Sequence, residues 1–246
     1  MRNVVVTGGG TGIGYAIARA FVASGDRVWI TGRRSEVLAE AVRRLGGAGR
    51  AVDFDAADPV AVTRAAGDLP DPVHVLVNNA GGNTDFAGPP AGQAETAADL
   101  ATVAARWRAN LDANLLSAVL VTTALMPRLP DGGRVVTVGS IAARKGAGSY
   151  GAAKAAVEAW TADLSASLGR RGITANVVAP GLTLDTEFFR GRLTDRRTRT
   201  LVDATHTGRA GTPDDVAAVV VFLASPQARH VTGQLIHANG GAYLGR

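Results

Sequence analysis

The chain of 246 residues contains no cysteine, only two lysines, two methionines and four histidines, and 5% aromatic residues. Without cysteine there is no disulfide framework, no thiolate nucleophile and no sulfur-ligated metal, a composition suited to a reducing, cytoplasmic setting. His74, His206, His230 and His237 are far apart in the chain, none at ligand spacing from a carboxylate, so no metal is expected. No apolar run reaches the roughly 20 residues of a membrane span. The opening segment MRNVVVTGGG is broken by glycines, so neither export nor membrane insertion is indicated. Lysine is scarce but arginine is not: 24 arginines bring the net charge to +5. Basic charge admits nucleic-acid binding, yet the arginines are scattered without the aromatic interleaving of a single-strand groove, so no nucleic-acid partner is expected. Arginine in place of lysine, beside abundant alanine and glycine, also fits GC-rich coding.

What is present is a hydrophobic content of 46%, enough for a sizeable core in one domain spanning residues 1–246. Short β-branched runs at 4–7, 28–31, 51–54, 73–78, 134–139, 174–179 and 234–237 predict seven strands. Helical patterns at 14–24, 35–45, 59–67, 94–125, 150–169 and 214–223 alternate with them. Parallel strands need right-handed crossovers, so this alternation predicts an α/β fold: a Rossmann-type, doubly wound parallel sheet with helices on both faces. The interval 182–213 has no strand pattern and is the expected mobile segment.

The first strand runs into Thr7-Gly8-Gly9-Gly10-Thr11-Gly12-Ile13-Gly14, and a helix pattern follows. Glycines let backbone approach a pyrophosphate, and the helix N-terminus offers free N–H groups and a positive dipole end, so this reads as a dinucleotide loop. Further along, Tyr150 and Lys154 are four apart at a helix start and share a face. A neighbouring ammonium favours the phenolate, so Lys154 is expected to bring the Tyr150 phenol nearer to acid/base use at neutral pH. Ser140 follows a strand at its carboxyl end, where ligands of open α/β sheets gather.

The spacing T-G-x-x-x-G-x-G on Thr7, Gly8, Gly12 and Gly14 resembles the short-chain dehydrogenase/reductase family, in particular members like the 3-oxoacyl-carrier-protein reductases. Asn78-Asn79-Ala80-Gly81, Ser140, Tyr150-x-x-x-Lys154, Pro180-Gly181 and Asn239-Gly240-Gly241 follow in family order, so the resemblance covers essentially the whole chain. It implies a nicotinamide-dependent interconversion of a carbonyl and an alcohol. Ser140 and Tyr150 would polarise the oxygen, Tyr150 would supply the proton, and Lys154 with Asn114 would replenish it. Asn110 is the rival for the fourth role. The resemblance also assigns Lys154 to the nicotinamide ribose, Asp55 to the adenine amine, and Asn79, Ala80, Gly81, Pro180, Gly181 and Thr183 to the cofactor groove. It implies a homotetramer as well, and the Ala-rich helical stretches 111–125 and 152–168 are apolar on more than one face.

Gly32-Arg33-Arg34 follows the second strand where NAD-preferring relatives carry an acid. Arg33 can pair with a 2′-phosphate, so NADP(H) is expected, with Arg34 either a second partner or simply solvated. Thr11 dissents, since many NADP-dependent relatives are basic there; NAD(H) stays the alternative. A non-catalytic NADP(H)-sensing protein is the rival from another class, though such proteins usually lose the Tyr or Lys. Ser140 and Tyr150 are closer in sequence than is usual in the family, which leaves the loop 141–149 clipped. The stretch after Gly81, through Phe86-Ala87-Gly88-Pro89-Pro90, is longer than in many relatives and either borders the site entrance or is a plain surface excursion. In the expected substrate loop, Phe188 and Phe189 could wall a pocket for an aromatic or acyl body. Arg190, Arg192, Arg196, Arg197 and Arg199 would form its basic rim, or else a solvated helix.

Overall fold

Valine-rich runs too short for a helix are buried on both sides here, a demand that a strand meets inside a parallel sheet covered on both faces. In the computed structural model, which describes residues 1–87 and 99–245, seven such strands form one parallel sheet. They are β1 (Asn3–Thr7), β2 (Arg27–Gly32), β3 (Gly49–Asp53), β4 (Val75–Asn78), β5 (Arg134–Val138), β6 (Thr174–Pro180) and β7 (Leu235–Ala238). Their order is β3-β2-β1-β4-β5-β6-β7, so the winding reverses between β1 and β4. The expected fold class holds, with strand ends shifted by one to a few residues; Val73 and His74, for example, precede the β4 ladder.

Alternation along each strand builds the two halves of the core. Val4, Val6, Val75 and Val77 face one side, under α1 (Gly12–Ala23), α2 (Ser35–Leu45) and α9 (Pro213–Leu223). Val5, Leu76 and Val135 face the other, under α3 (Pro59–Ala66), α5 (Ser117–Leu125) and α7 (Gly148–Leu168). Each such fully buried Val or Leu contributes about 1.5–3 kcal/mol.

The structure corrects two expectations and fills in another. The single helix expected over 94–125 is α4 (Leu100–Leu111), a wide π turn (Asp112–Leu116) and α5; residues 94–98 lie outside the described ones. The wide turn falls where the Asn114 side chain donates to the Asn110 carbonyl at 3.0 Å. Helical structure is continuous from Leu100 to Arg128, 29 residues, and by length and composition this run could cross a membrane. It serves the fold instead: Asn110, Asn114, Val121 and Leu125 are buried. Second, the segment 182–213, read as having no strand and, over 190–199, as a basic rim or a solvated helix, contains α8 (Asp195–Asp203) and a parallel bridge between Thr183 and Gly211. Third, the interval after Ser140, expected as a clipped loop, contains the short helix α6 (Ala142–Lys145).

Candidate active site

The carboxyl ends of adjacent strands carry most of the motifs, and the pair Tyr150 and Lys154 lies on α7 beyond β5. Gly8–Gly14 follows β1, Asn79–Gly81 follows β4, Ser140 follows β5 and Pro180-Gly181 follows β6, with Gly32-Arg33-Arg34 and Asp55 at β2 and β3. The reversal between β1 and β4 opens the crevice in which ligands of such sheets bind.

Gly8 (φ +64°) and Gly12 (φ +50°) adopt left-handed backbone that side chains rarely tolerate, and a Cβ on Gly14 would collide with the Gly8 carbonyl oxygen. α1 therefore starts tight against the loop. Thr11, its N-cap, makes no side-chain capping bond, so its side chain leaves the first amides of the helix free for another acceptor. Ile13 packs on the core, and Gly10 leaves room for Val37, whose methyl would lie 3.1 Å from a Cβ there. Thr7 turns out to be a brace: it is 2% exposed, and its hydroxyl accepts the amides of Asn79 (3.0 Å) and Ala80 (2.9 Å). Asn79 in turn donates to the carbonyls of Thr7 and Gly8, tying the two loops together. On the far side, a Cβ on Gly181 would meet Asn239 at 2.9 Å, and the buried Thr183 carries the bridge to Gly211.

Tyr150 and Lys154 lie on one face of α7, both buried, with the Lys154 Nζ 6.0 Å from the Tyr150 ring centre. Nζ donates to the Val138 carbonyl at 2.8 Å, the last residue of β5. Burial lowers the Lys154 pKa to about 8. Burial also pushes the Tyr150 phenol up to about 12, and a hydrogen bond with Ser140 opposes this only in part. The expected easing of the phenol by Lys154 is therefore not what dominates in the cofactor-free site: desolvation of the phenolate outweighs it. The Ser140 hydroxyl accepts the Ala142 amide at 3.1 Å, opening α6 while staying beside the phenol. Arg144 of α6 pairs with Glu158 of α7 at 2.6 Å, stapling the serine turn to the helix of Tyr150 and Lys154. Asn114 exchanges two 3.0 Å bonds with the backbone of Gly82, and a Cβ on Gly81 would strike its oxygen. Its rival Asn110 is fully buried, accepting the Thr84 amide and donating to Ser149.

Phe188 stacks 5.6 Å from the Tyr150 ring, 5.0 Å from Phe189 and 5.6 Å from Phe86. Phe86 was legible only as part of the long stretch after Gly81; its described end borders the site, whereas 88–98 lie outside the described residues. Thr186 covers the glycine loop, 3.3 Å from where a Gly12 Cβ would be. Neighbouring Glu187 pairs with Arg34 at 2.7 Å, so Arg34 is not simply solvated. Arg33 is 75% exposed and lies 3.8 Å from Asp55. Asp58, by contrast, caps α3 through the Val60 amide. Phe86 belongs to the stretch read as bordering the site entrance, and Thr186 and Glu187 to the expected substrate loop; their particular contacts with Phe188, the glycine loop and Arg34 carry no local sequence pattern. The arginines of 190–199 are in no ion pair among the described residues, and α8 buries none of its side chains.

A glycine-rich loop at the sheet reversal and a Ser, Tyr and Lys at and after the end of β5 lie on the same edge of the sheet. Residues 8–243 match a family model described as Enoyl-(Acyl carrier protein) reductase. The chain is 35% identical to a galactitol 2-dehydrogenase (L-tagatose-forming) of Cereibacter sphaeroides, covering 96% of this chain and 92% of that one. It is 33% identical to a 3-oxoacyl-[acyl-carrier-protein] reductase of Vibrio cholerae over 99% of this chain and 98% of the relative. It also superposes, with a TM-score of 0.85 and 33% identity over 99% and 98% of the two chains, on a blue fluorescent protein from a metagenomic library solved with NADPH. The chain belongs to the short-chain dehydrogenase/reductase family of oxidoreductases.

Proposed function

We propose that the protein is an NADP(H)-dependent oxidoreductase that interconverts a ketone, or a 3-oxoacyl-type carbonyl, with its secondary alcohol. The observation carrying this reading is the buried Tyr150 phenol, next to Ser140 and one turn from Lys154, in contact with Phe188 of the segment whose Thr186 lies over Gly12. The left-handed Gly8 and Gly12, the first amides of α1 left free by Thr11 and the excluded Cβ of Gly14 fit a pyrophosphate. A nicotinamide dinucleotide held there by its pyrophosphate would supply or accept the hydride.

The chain's own residues do the rest. Ser140 and Tyr150 donate hydrogen bonds to the carbonyl oxygen, and Tyr150 releases its proton as that oxygen gains charge. A neutral, protonated phenol is the correct starting form for reduction, and burial keeps it so. Lys154, held by the Val138 carbonyl, sets the local charge, and Asn114 fixes the backbone at Gly82 beside it. Phe188, Phe189 and Phe86 wall the space over Tyr150, which favours an apolar or aromatic substrate body. Arg33, largely exposed beside Asp55, is assigned to the 2′-phosphate. Homotetramer assembly through α4, α5 and α7 is part of the same reading, as Trp107 and Leu116 stay exposed on that side.

The test is a cofactor-consumption screen over ketones, 3-oxoacyl thioesters and alcohols with both nicotinamides. Tyr150→Phe is expected to lose turnover by at least about 10²-fold, the scale of a general acid, while still binding NADPH. Arg33→Asp is expected to shift preference toward NADH. Full activity in Tyr150→Phe, or an NADH preference before mutation, overturns the respective assignment.

A further inference from the structure

Everything described so far sits at the carboxyl edge of the sheet. At the opposite edge Arg134, which opens β5, is only 8% exposed. Its Nη1 donates to the carbonyls of Gly132 and Gly133, but its Nε–H meets no acceptor. Among the described residues no carboxylate lies within ion-pair distance of it. Burial and the neighbouring charge of Arg2 both press against its protonated form, yet a guanidinium does not give up its proton in a protein. A buried cation of this kind calls for a counter-charge. Asp26, buried to a similar degree, has one in Arg2.

Arg134 lines a cavity of about 120 Å³ together with Arg2, His74 and Asp131. Arg2 is committed to Asp26 and to the Ala224 carbonyl, and Asp131 to Arg171 at 3.0 Å. Three arginines against two aspartates leave one positive charge over. His74 Nδ1 accepts the Asn3 amide at 3.0 Å, so the neutral ring carries its proton on Nε2. What remains at the cavity without a counter-charge is the Arg134 guanidinium, with Arg2 and His74 beside it in the lining. We propose that this cavity binds a small tetrahedral oxyanion, phosphate or sulfate, either free or as the terminal group of a phosphomonoester. Guanidinium and phosphate match in charge and donor geometry, and the site is separated from the glycine loop by the length of the sheet.

The experiment titrates phosphate, sulfate and glycerol 3-phosphate calorimetrically into NADPH-saturated protein, at ionic strength held constant with sodium chloride. Saturable binding of at least one of the three is expected. Binding of inorganic ions alone indicates a free-ion site, and binding of the monoester as well indicates an open one. Arg134→Met is expected to weaken affinity by about tenfold or more, with folding verified by circular dichroism. If that variant does not fold, Arg2→Met and His74→Gln carry the comparison, each expected to weaken binding several-fold. No saturable heat with any ligand overturns the site, as does affinity unchanged in the folded variants, or binding that NADPH abolishes. Failure of NADPH itself to bind would strike the active-site reading alone, since the comparison of variants stands without it.

Discussion

Lys154 and Tyr150 show how one physical cause acts on two groups in opposite directions. Burial penalises the ammonium of the lysine and the phenolate of the tyrosine, so the lysine pKa falls to about 8 and the tyrosine pKa rises to about 12. The consequences for stability separate by pH. Between about 8 and 10.5 the unfolded chain keeps the lysine proton that the folded chain has released, so stability rises with pH there; below 8 the full cost of the buried ammonium is carried. Between about 10 and 12 the folded chain keeps the phenol proton that the unfolded chain has lost, so stability falls. Cofactor-free Lys154→Met is expected to lack the rise above pH 8 that the unmutated protein shows. Urea denaturation at a series of pH values measures both slopes, and identical slopes would mean that Lys154 is not desolvated. The Tyr-Lys pair was legible in the sequence because four positions on a helix always share a face. The direction of the tyrosine shift was not, because it depends on how much water the rest of the fold excludes.

Between secondary-structure units, the coupling that matters most is the Arg144–Glu158 staple from α6 to α7. Arg144 is 49% exposed and Glu158 only 7%, and burial raises the Glu158 pKa while Arg144 opposes the rise. Removing the guanidinium leaves a shielded carboxylate alone. Loss of a fully buried partner costs about 3–5 kcal/mol, and solvent at Arg144 reduces this to about 1–2 kcal/mol. Arg144→Met is therefore expected to lose that much stability in urea denaturation. It should also lower kcat more than it raises KM for cofactor, because α6 leads directly from Ser140. A change under about 0.5 kcal/mol with kcat intact would show that the staple positions nothing. Ser140 itself could be placed at the end of β5 from sequence, but the short helix after it could not. Ala142–Lys145 has no periodicity long enough to detect, and it forms because it packs on α7.

The proposed assembly draws on surfaces the fold leaves uncovered. Trp107 and Leu116 are 41% and 38% exposed along α4 and the wide turn, apolar surface that the proposed assembly would cover. Sedimentation at micromolar concentration is expected to give a tetramer, and a monomer would remove this part of the proposal. Much of the rest was determined by the chain alone: an α/β sheet of seven parallel strands, the glycine loop after β1, and motifs at successive strand ends. These follow from local periodicity, from glycine's access to positive φ and from the right-handedness of crossovers, all of which act over a few residues to a few tens. Only the tertiary structure decided that Thr7 braces the Asn79 loop, that Asn114 sits in a wide turn holding Gly82, and that Phe86 meets Phe188 above Tyr150. The same holds for Glu187, which takes up Arg34 across 153 residues of chain. Contacts of this kind depend on packing between segments that share no local pattern, and the energies that select them are set by burial, which no short stretch of sequence encodes.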